Sequence, residues 1–459
     1  MSEVGGAHGE RDERGERDEH GDRGERDERA PLVALAAQPW PARVRSYLRL
    51  IGPGYLQSAM TLGSGTAASC LFAGAAFGYE LLWVAPLGML LGVLAMAVIS
   101  HQTLSTGQRT LPAMARHASP WLAWAFAGAS VLASIVWHFP QYSLGCGALV
   151  DVAAVLGWQG LHPGLASAFV LVWAIVLSSL YGGGSRFVRV YERVLKYVVW
   201  GIVQCLLWVV VRTPTDWGAV LRGFVPHLPA PRGDIRAIDL VVSGLAAAVG
   251  INMLLLYPYS LLRRGWGREH RELARFDLLV GMFVPYVLAT GLMVVAAANT
   301  LHASGALVAQ KSAIGELGRV LGDVIGPVSG RVIFDVGMLA MALSTITLHM
   351  VVCGFVAAEW FGWPVGSRKH RLSMLLPIPG ALAPFVWAEY AVWLAVPTTI
   401  VCGAMLPIAY LGFLLLQRSD AYLGADRPRG LRGALASGVL VVAMLVVVAA
   451  LVAYLVPKL

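Results

Sequence analysis

Charge is what this chain has least of. Only 14% of its 459 residues are charged, and the acidic residues beyond residue 30, from Glu80 to Asp426, all fall in expected loops or within a few turns of the ends of apolar stretches. No carboxylate is expected at the middle of any apolar stretch, where a divalent cation stripped of water would want one. Cysteine is sparse too: Cys70, Cys146, Cys205, Cys353 and Cys402 all sit inside apolar stretches and form no CxxC pair. Neither a disulfide framework nor a zinc knuckle is indicated. The chain has no Walker loop, nucleophile elbow or HExxH pair, so ATP-driven transport and intramembrane hydrolysis have no residues to stand on. It reads as neither an enzyme nor a cofactor binder. No signal peptide is visible, because the first hydrophobic stretch follows a long polar tail and is too long for an h-region.

What is abundant is apolar surface. Hydrophobic residues make up 57% of the chain and the mean hydropathy is +0.66. Stretches long enough to cross a hydrocarbon layer of ~30 Å recur from Tyr47 to Val456, which defines an all-α polytopic membrane protein. Eleven spans are expected, at about 45–77, 80–105, 120–149, 163–181, 190–211, 237–262, 274–300, 331–358, 370–388, 391–416 and 431–456. Residues 1–40 form a separate tail that repeats Gly, Glu, Arg and Asp and is expected to be disordered and cytoplasmic. Residues 41–459 form the transmembrane domain.

The net charge of +8 sits on that domain, since residues 1–30 are acidic on balance. Basic residues crowd one set of loops, among them Arg109, Arg116, Arg263, Arg264, Arg268, Arg368, Lys369 and Arg418, whereas the short loops between them carry none. The positive-inside rule then puts the N-terminus in the cytoplasm and, with an odd span count, the C-terminus outside, in a bacterial-type plasma membrane. The expected partners are the lipid bilayer and a small solute or ion; nothing points to nucleic acid. In the loop after the seventh span, Ile314, Leu317, Leu321, Val324 and Ile325 fall at helical spacing opposite Lys311, Glu316, Arg319 and Asp323, as in a short interfacial helix.

The stretch Gly52–Ala75 is apolar but is interrupted by Gly63, Ser64, Gly65 and Thr66. Glycine costs roughly 1 kcal/mol relative to alanine inside a helix, and serine and threonine compete for backbone hydrogen bonds, so four in a row favour a break. Broken backbone at bilayer depth is tolerated only within protein or beside a wet cavity, and secondary transporters build substrate sites this way. Five spans later, Ala248-Val249-Gly250-Ile251-Asn252-Met253 is a second candidate interruption, where Gly250 weakens the helix and Asn252 is an amide that would be costly to leave in lipid. A separation of five is expected if two halves, about 45–211 and 237–416, repeat with inverted topology and 431–456 is an added helix. Seven residues, Gly63 to Thr66 and Gly250 to Asn252, are thus the expected substrate site.

Four more polar residues are candidates for a proton path or a cavity wall. His138, Gln141 and Tyr142 surround Pro140 in the third span, and Tyr257 follows the second interruption. An imidazole whose ordinary pKa is ~6.5 suits a relay, while a histidine hydrogen-bonded between helices is the plainer alternative. His349 in the eighth span reads as structural.

Several segments also resemble one family. GPGYLQSAMTLGSG from Gly52, FAGAAFGYELLWV from Phe72, RGFVPHLP from Arg222, and the eighth-span segment containing Ser344-Thr345-Ile346-Thr347 are similar to the NRAMP divalent-metal transporters. The resemblance runs from Gly52 to Gly424. It implies a LeuT-like fold of two five-helix inverted repeats with helices 1 and 6 broken, and alternating-access transport of a metal ion. Where the family has Asp-Pro-Gly-Asn, this chain has Gly63-Ser64-Gly65-Thr66; where it has Met-Pro-His, this chain has Gly250-Ile251-Asn252. The family's carboxylate, amide and thioether ligands are therefore absent, so no metal ligand is assigned and the chain looks like a divergent branch. On the residues alone the solute stays open among a metal ion, a monovalent cation and a small neutral or anionic compound bound by free amides. A sensor or structural protein that has kept the fold without transport is the reading from a different class.

Overall fold

The structure is a computed structural model that describes residues 39–181, 185–305, 326 and 328–456. All but two residues of the expected tail, and the expected interfacial helix around 314–325, lie outside the described residues. Among the described residues the chain is helical, with an isolated bridge between Arg232 and Ile235 as the one β contact.

The first span is a pair of half-helices, α1 (Pro53–Thr61) and α2 (Ser64–Phe77), bent by 55°. It is followed by α3 (Val84–Thr106), α4 (Pro120–Val155), α5 (Pro163–Tyr181) and α6 (Ser185–Arg212). The sixth span is again two pieces, α7 (Ala237–Ala248) and α8 (Ile251–Arg263). Then come α9 (Arg268–His302), α10 (Ser329–Phe361), α11 (Ala395–Arg418) and α12 (Gly430–Leu455). The breaks expected in the first and sixth spans are both present.

Local sequence explains the ends of these elements. Pro53 and Pro120 stand in first turns, where a missing N–H costs nothing. Gly107 and Gly362 close α3 and α10 at φ values of +66° and +63°, a left-handed conformation that side-chain-bearing residues avoid. The start of α1 is capped across the fold. Asp277 of α9 accepts hydrogen bonds from the N–H groups of Gly52 at 3.0 Å and Gly54 at 2.6 Å, placing a buried carboxylate at the positive end of the half-helix.

The stretch expected as a ninth span, 370–388, is not one continuous helix. It is a series of short turns, Arg368–Ser373, Ile378–Leu382 and Ala383–Val386, because Pro377, Pro379 and Pro384 withhold the N–H groups a long helix needs. Its contacts still carry it along the bundle. The His370 ring lies 5.8 Å from Phe355 near the end of α10, Ser167 of α5 donates to the Ala381 carbonyl at 2.7 Å, and Phe385 lies 6.5 Å from the His162 ring just before α5.

Ionic contacts gather at the two ends of the bundle. At the arginine-rich end Arg109 pairs with Glu359, Arg268 with Asp426, and Arg271 with Asp426 at 3.0 Å. At the far end Glu80 meets His227 at 3.1 Å and Arg232 at 3.7 Å, and Arg331 pairs with Asp151. Arg43 contacts Glu272 at the arginine-rich end, while Tyr454 at the close of α12 lies under Arg236 at the far end. Cys70, Cys146, Cys353 and Cys402 are buried free thiols, as their apolar settings imply.

Candidate functional site

The first break is held open by other helices. The last carbonyls of α1 have no intrahelical partners, and side chains supply them. The Ser344 hydroxyl of α10 lies 3.2 Å from the Ala59 carbonyl and that of Thr345 3.4 Å from the Met60 carbonyl, each shared with the Met341 carbonyl of their own helix at 3.0 Å and 2.9 Å. Thr66 donates to the Thr61 carbonyl at 2.5 Å. On the other side of the break Leu62 and Gly63 are non-helical, and the Ser64 N–H donates to Gln141 Oε1 of α4 at 3.1 Å. Backbone polarity exposed by the bend is thus met by hydroxyls and one amide, as burial requires.

The second break consists of Val249 and Gly250, both extended. The Thr61 hydroxyl, at the tip of α1, lies 2.8 Å from the carbonyls of both Ala247 and Ala248 and so joins the two breaks directly. The Gly250 N–H lies 3.4 Å from the Met253 sulfur, and Asn252 Nδ2 lies 3.1 Å from the Ser134 hydroxyl of α4. Asn252 Oδ1 is buried and has no hydrogen-bond partner. Farther along, Ser69 of α2 and Ser243 of α7 meet at 2.7 Å, tying one half of each broken span together.

Between the breaks lies a cavity of about 30 Å³. Met60, Thr61, Gly63, Gly65 and Thr66 form one wall, Ala246, Ala247, Gly250, Asn252 and Met253 another, and Trp137, Gln141, Thr345 and His349 the rest. Of the seven residues expected from sequence, Gly63, Gly65, Thr66, Gly250 and Asn252 line it. Ser64 contributes its N–H to Gln141 just behind the wall, and Ile251 is buried in the apolar core instead. Of the four path candidates Gln141 is in the wall. His138 is one layer back, its ring 5.8 Å from His349 and 5.9 Å from Tyr142, with Nδ1 2.8 Å from the Ser134 carbonyl. Tyr257 stands apart, its hydroxyl 3.4 Å from the Ala274 carbonyl of α9.

Sequence reasoning missed Thr61, Trp137 and Met253, and it took His349 for structure. Thr61 had a signal, since it directly precedes the Leu62–Thr66 interruption. Met253 had only its place at the end of the second candidate interruption, and Trp137 had none, being an apolar residue in an apolar helix. No carboxylate lines the cavity, and among the described residues no group of three His, Cys, Asp or Glu stands ready to hold a metal ion. What the wall offers is neutral: hydroxyls, amide oxygens, a thioether at Met253 and an imidazole at His349. Such a set binds a cation by dipoles and by soft donors rather than by opposite charge.

Comparisons with known proteins agree with this architecture. Residues 54–453 match the family described as natural resistance-associated macrophage protein-like. The chain is 26% identical over 403 residues to a divalent metal cation transporter of Brucella suis, covering 84% of this chain and 83% of that protein. A similar match, 26% over 410 residues, is found to the corresponding transporter of Acidiphilium cryptum, with 86% of this chain and 88% of that protein covered. Among solved structures the Eremococcus coleocola manganese transporter superposes with a TM-score of 0.69 at 17% identity, covering 87% of this chain and 86% of that one. MhsT, solved with L-phenylalanine, superposes with a TM-score of 0.54 at 14% identity over 87% and 98% of the two chains. These structural likenesses concern the fold.

Proposed function

The chain belongs to the Nramp family, and from that premise we propose that it is a secondary transporter that carries a divalent metal cation by alternating access, binding it in the cavity between the two breaks. The observation that carries the reading is the set of donors that the two breaks bring together: Thr61 and Thr66 from the first, Asn252 and Met253 from the second, and His349 from α10 line one cavity. Hydroxyls, amide oxygens, a thioether and an imidazole around one small space suit a partly hydrated cation. The curated relatives' names supply the divalent charge, and the neutral wall refines it. Imidazole and thioether donors favour softer transition metals over magnesium, with Asn252 Oδ1 and the threonine hydroxyls as oxygen ligands. With no carboxylate to offset the ion's lost hydration, binding is weaker than at an acidic site and the ion keeps part of its water.

In this reading the first repeat is 45–211, the second is 237–416, and α12 is an addition. The arginine-rich end faces the cytoplasm and the close of α12 the outside. His138, one layer behind His349 of the wall, is placed to pass a proton toward the cavity. The test is uptake of manganese into liposomes containing the purified protein, followed with a metal-sensitive dye. Saturable uptake that Asn252→Ala and His349→Ala each weaken is the expected result. Uptake no faster than in empty liposomes, for manganese, cobalt and zinc alike, overturns the reading; potassium or sodium flux in its place shows a monovalent cargo.

A further inference from the structure

Helices α4 and α10 carry a second polar cluster away from the cavity. Asp151 near the close of α4 is gripped by Arg331 of α10, whose Nε lies 2.5 Å from Asp151 Oδ2 while its Nη2 pairs with Oδ1. One turn on, Asp335 is fully buried, and neither of its carboxyl oxygens has a hydrogen-bond donor. Arg331, one turn earlier on the same helix, holds the Asp151 carboxylate on the side where Asp335 stands, so the two carboxyls interact. Among the described residues the charged groups facing it are Asp151 from α4 and Arg331 from its own helix; α5, which also packs on α10, has no charged residue.

Two carboxylates therefore share one guanidinium, and the guanidinium is already engaged in a forked pair with Asp151. A second negative charge, buried and without a donor, is costly in low dielectric, and two carboxylates in contact do not both ionise. One bound proton resolves both difficulties. As a carboxylic acid, Asp335 donates its O–H to an Asp151 oxygen, and the cluster becomes neutral. We propose that Asp335 and Asp151 form a proton-binding site, with the acid proton on Asp335, and that its release loosens the far-end joint between α4 and α10.

The same two helices supply Gln141, Thr345 and His349 to the cavity wall. Ten residues separate Asp151 from Gln141 and Asp335 from Thr345, about 15 Å at a rise of 1.5 Å per residue. Between the two places the helices touch closely: a Cβ on Gly145 would stand 3.0 Å from that of Ala342. Loss of the proton leaves two negative charges against one positive, the carboxylates repel, and strain at the joint is delivered along a packed helix pair to the cation site. Proton occupancy is thereby linked to metal binding. This linkage rests on the transporter reading above; the proton site itself does not.

The experiment separates the two. Infrared spectra of the full-length protein in liposomes at neutral pH are expected to show the carbonyl stretch of a protonated carboxylic acid, lost in Asp335→Asn and kept in the surface variant Asp420→Asn. Absence of that band in the unaltered protein, or its persistence undiminished in Asp335→Asn, overturns the proton site. Asp335→Glu, which keeps the acid, guards against a variant that fails to fold, and is expected to retain a shifted band. In the uptake assay with an internal pH dye, the unaltered protein is expected to acidify the lumen as manganese enters. Asp335→Asn is expected to let manganese in with that acidification lost. Metal entry with undiminished proton flow in Asp335→Asn overturns the linkage. Absence of any metal entry removes the transport reading, with the infrared result still deciding the proton site.

Discussion

The two breaks that frame the cavity are built in opposite ways. At the first there is no spare room: a Cβ on Gly65 would lie 2.2 Å from the Trp137 ring and 2.6 Å from the Thr399 hydroxyl, and one on Gly63 would lie 2.7 Å from Gln141 Nε2 and 2.8 Å from the Thr345 hydroxyl. At the second, a Cβ on Gly250 would meet nothing within 4 Å. The first break is bent by 55° and braced from α4 and α10. The second is a two-residue extension whose carbonyl neighbours lean on Thr61. The crowding at the first break is thus on both glycines, whereas at the second it spares Gly250 alone, since Val249 beside it packs on Gly92 of α3, where a Cβ would stand 2.0 Å from a Val249 methyl carbon. The cavity wall at Gly250 is the one with room to yield, and packed interfaces shift between discrete arrangements rather than deform smoothly.

The sharpest way to break this comparison is to fill the crowded side. Gly65→Leu is expected to abolish manganese uptake, because a side chain there displaces Trp137 and closes the cavity. Size-exclusion and circular dichroism should still report a folded helical protein. Uptake at a normal rate in that variant would mean that the gap is not the route. The next largest effect belongs to the link between the walls. Thr61→Val keeps the shape of the side chain but strips the donor shared by two buried carbonyls, a loss of about 1–3 kcal/mol. The melting temperature and the rate of uptake should fall together, and Thr61→Ser should restore both. A third, smaller effect concerns the ligand itself. Asn252→Ala removes the one buried amide oxygen at the second break without a partner, and manganese affinity measured by titration calorimetry should drop about tenfold, equivalent to about 1.4 kcal/mol.

The asymmetry also explains what could be read from the sequence. The break at Gly63–Thr66 is written locally, because four residues that disfavour a helix stand together in an otherwise apolar stretch. The break at Gly250 is legible mainly by its position five spans later, and Asn252 by the cost of an amide in lipid. The family resemblance carried the fold further than either. What stayed hidden is what other helices contribute. Ser344 and Thr345 are visible as a polar pair, yet only packing puts their hydroxyls on the Ala59 and Met60 carbonyls. Met253 and Trp137 look like ordinary core residues until α4 and α8 face each other across the gap. Asp335 stands near the start of a span, where a carboxylate ordinarily complements a helix N-terminus, and only its placement beside Asp151 and Arg331 makes it unusual. The ninth span failed as a continuous helix for a local reason, its prolines, that an apolarity scan does not weigh.

The smallest expected effect is the most discriminating one. Gly250 has φ −83° and ψ 159°, a conformation open to any residue, and its missing side chain would meet open space. Replacing it with alanine removes freedom from the unfolded chain without strain in the folded one, a change worth about 0.4–1 kcal/mol in favour of folding. Gly250→Ala should therefore melt slightly higher and transport manganese at close to the original rate, whereas Gly65→Ala, one methyl group on the crowded wall, should already impair it. If the two alanine variants lose uptake equally, the second break has no slack in some other state of the cycle, and the division into a fixed wall and a yielding one is wrong. If Gly250→Ala is stabilised yet slowed, the glycine is kept for motion rather than for space, and the yielding wall is the one that moves.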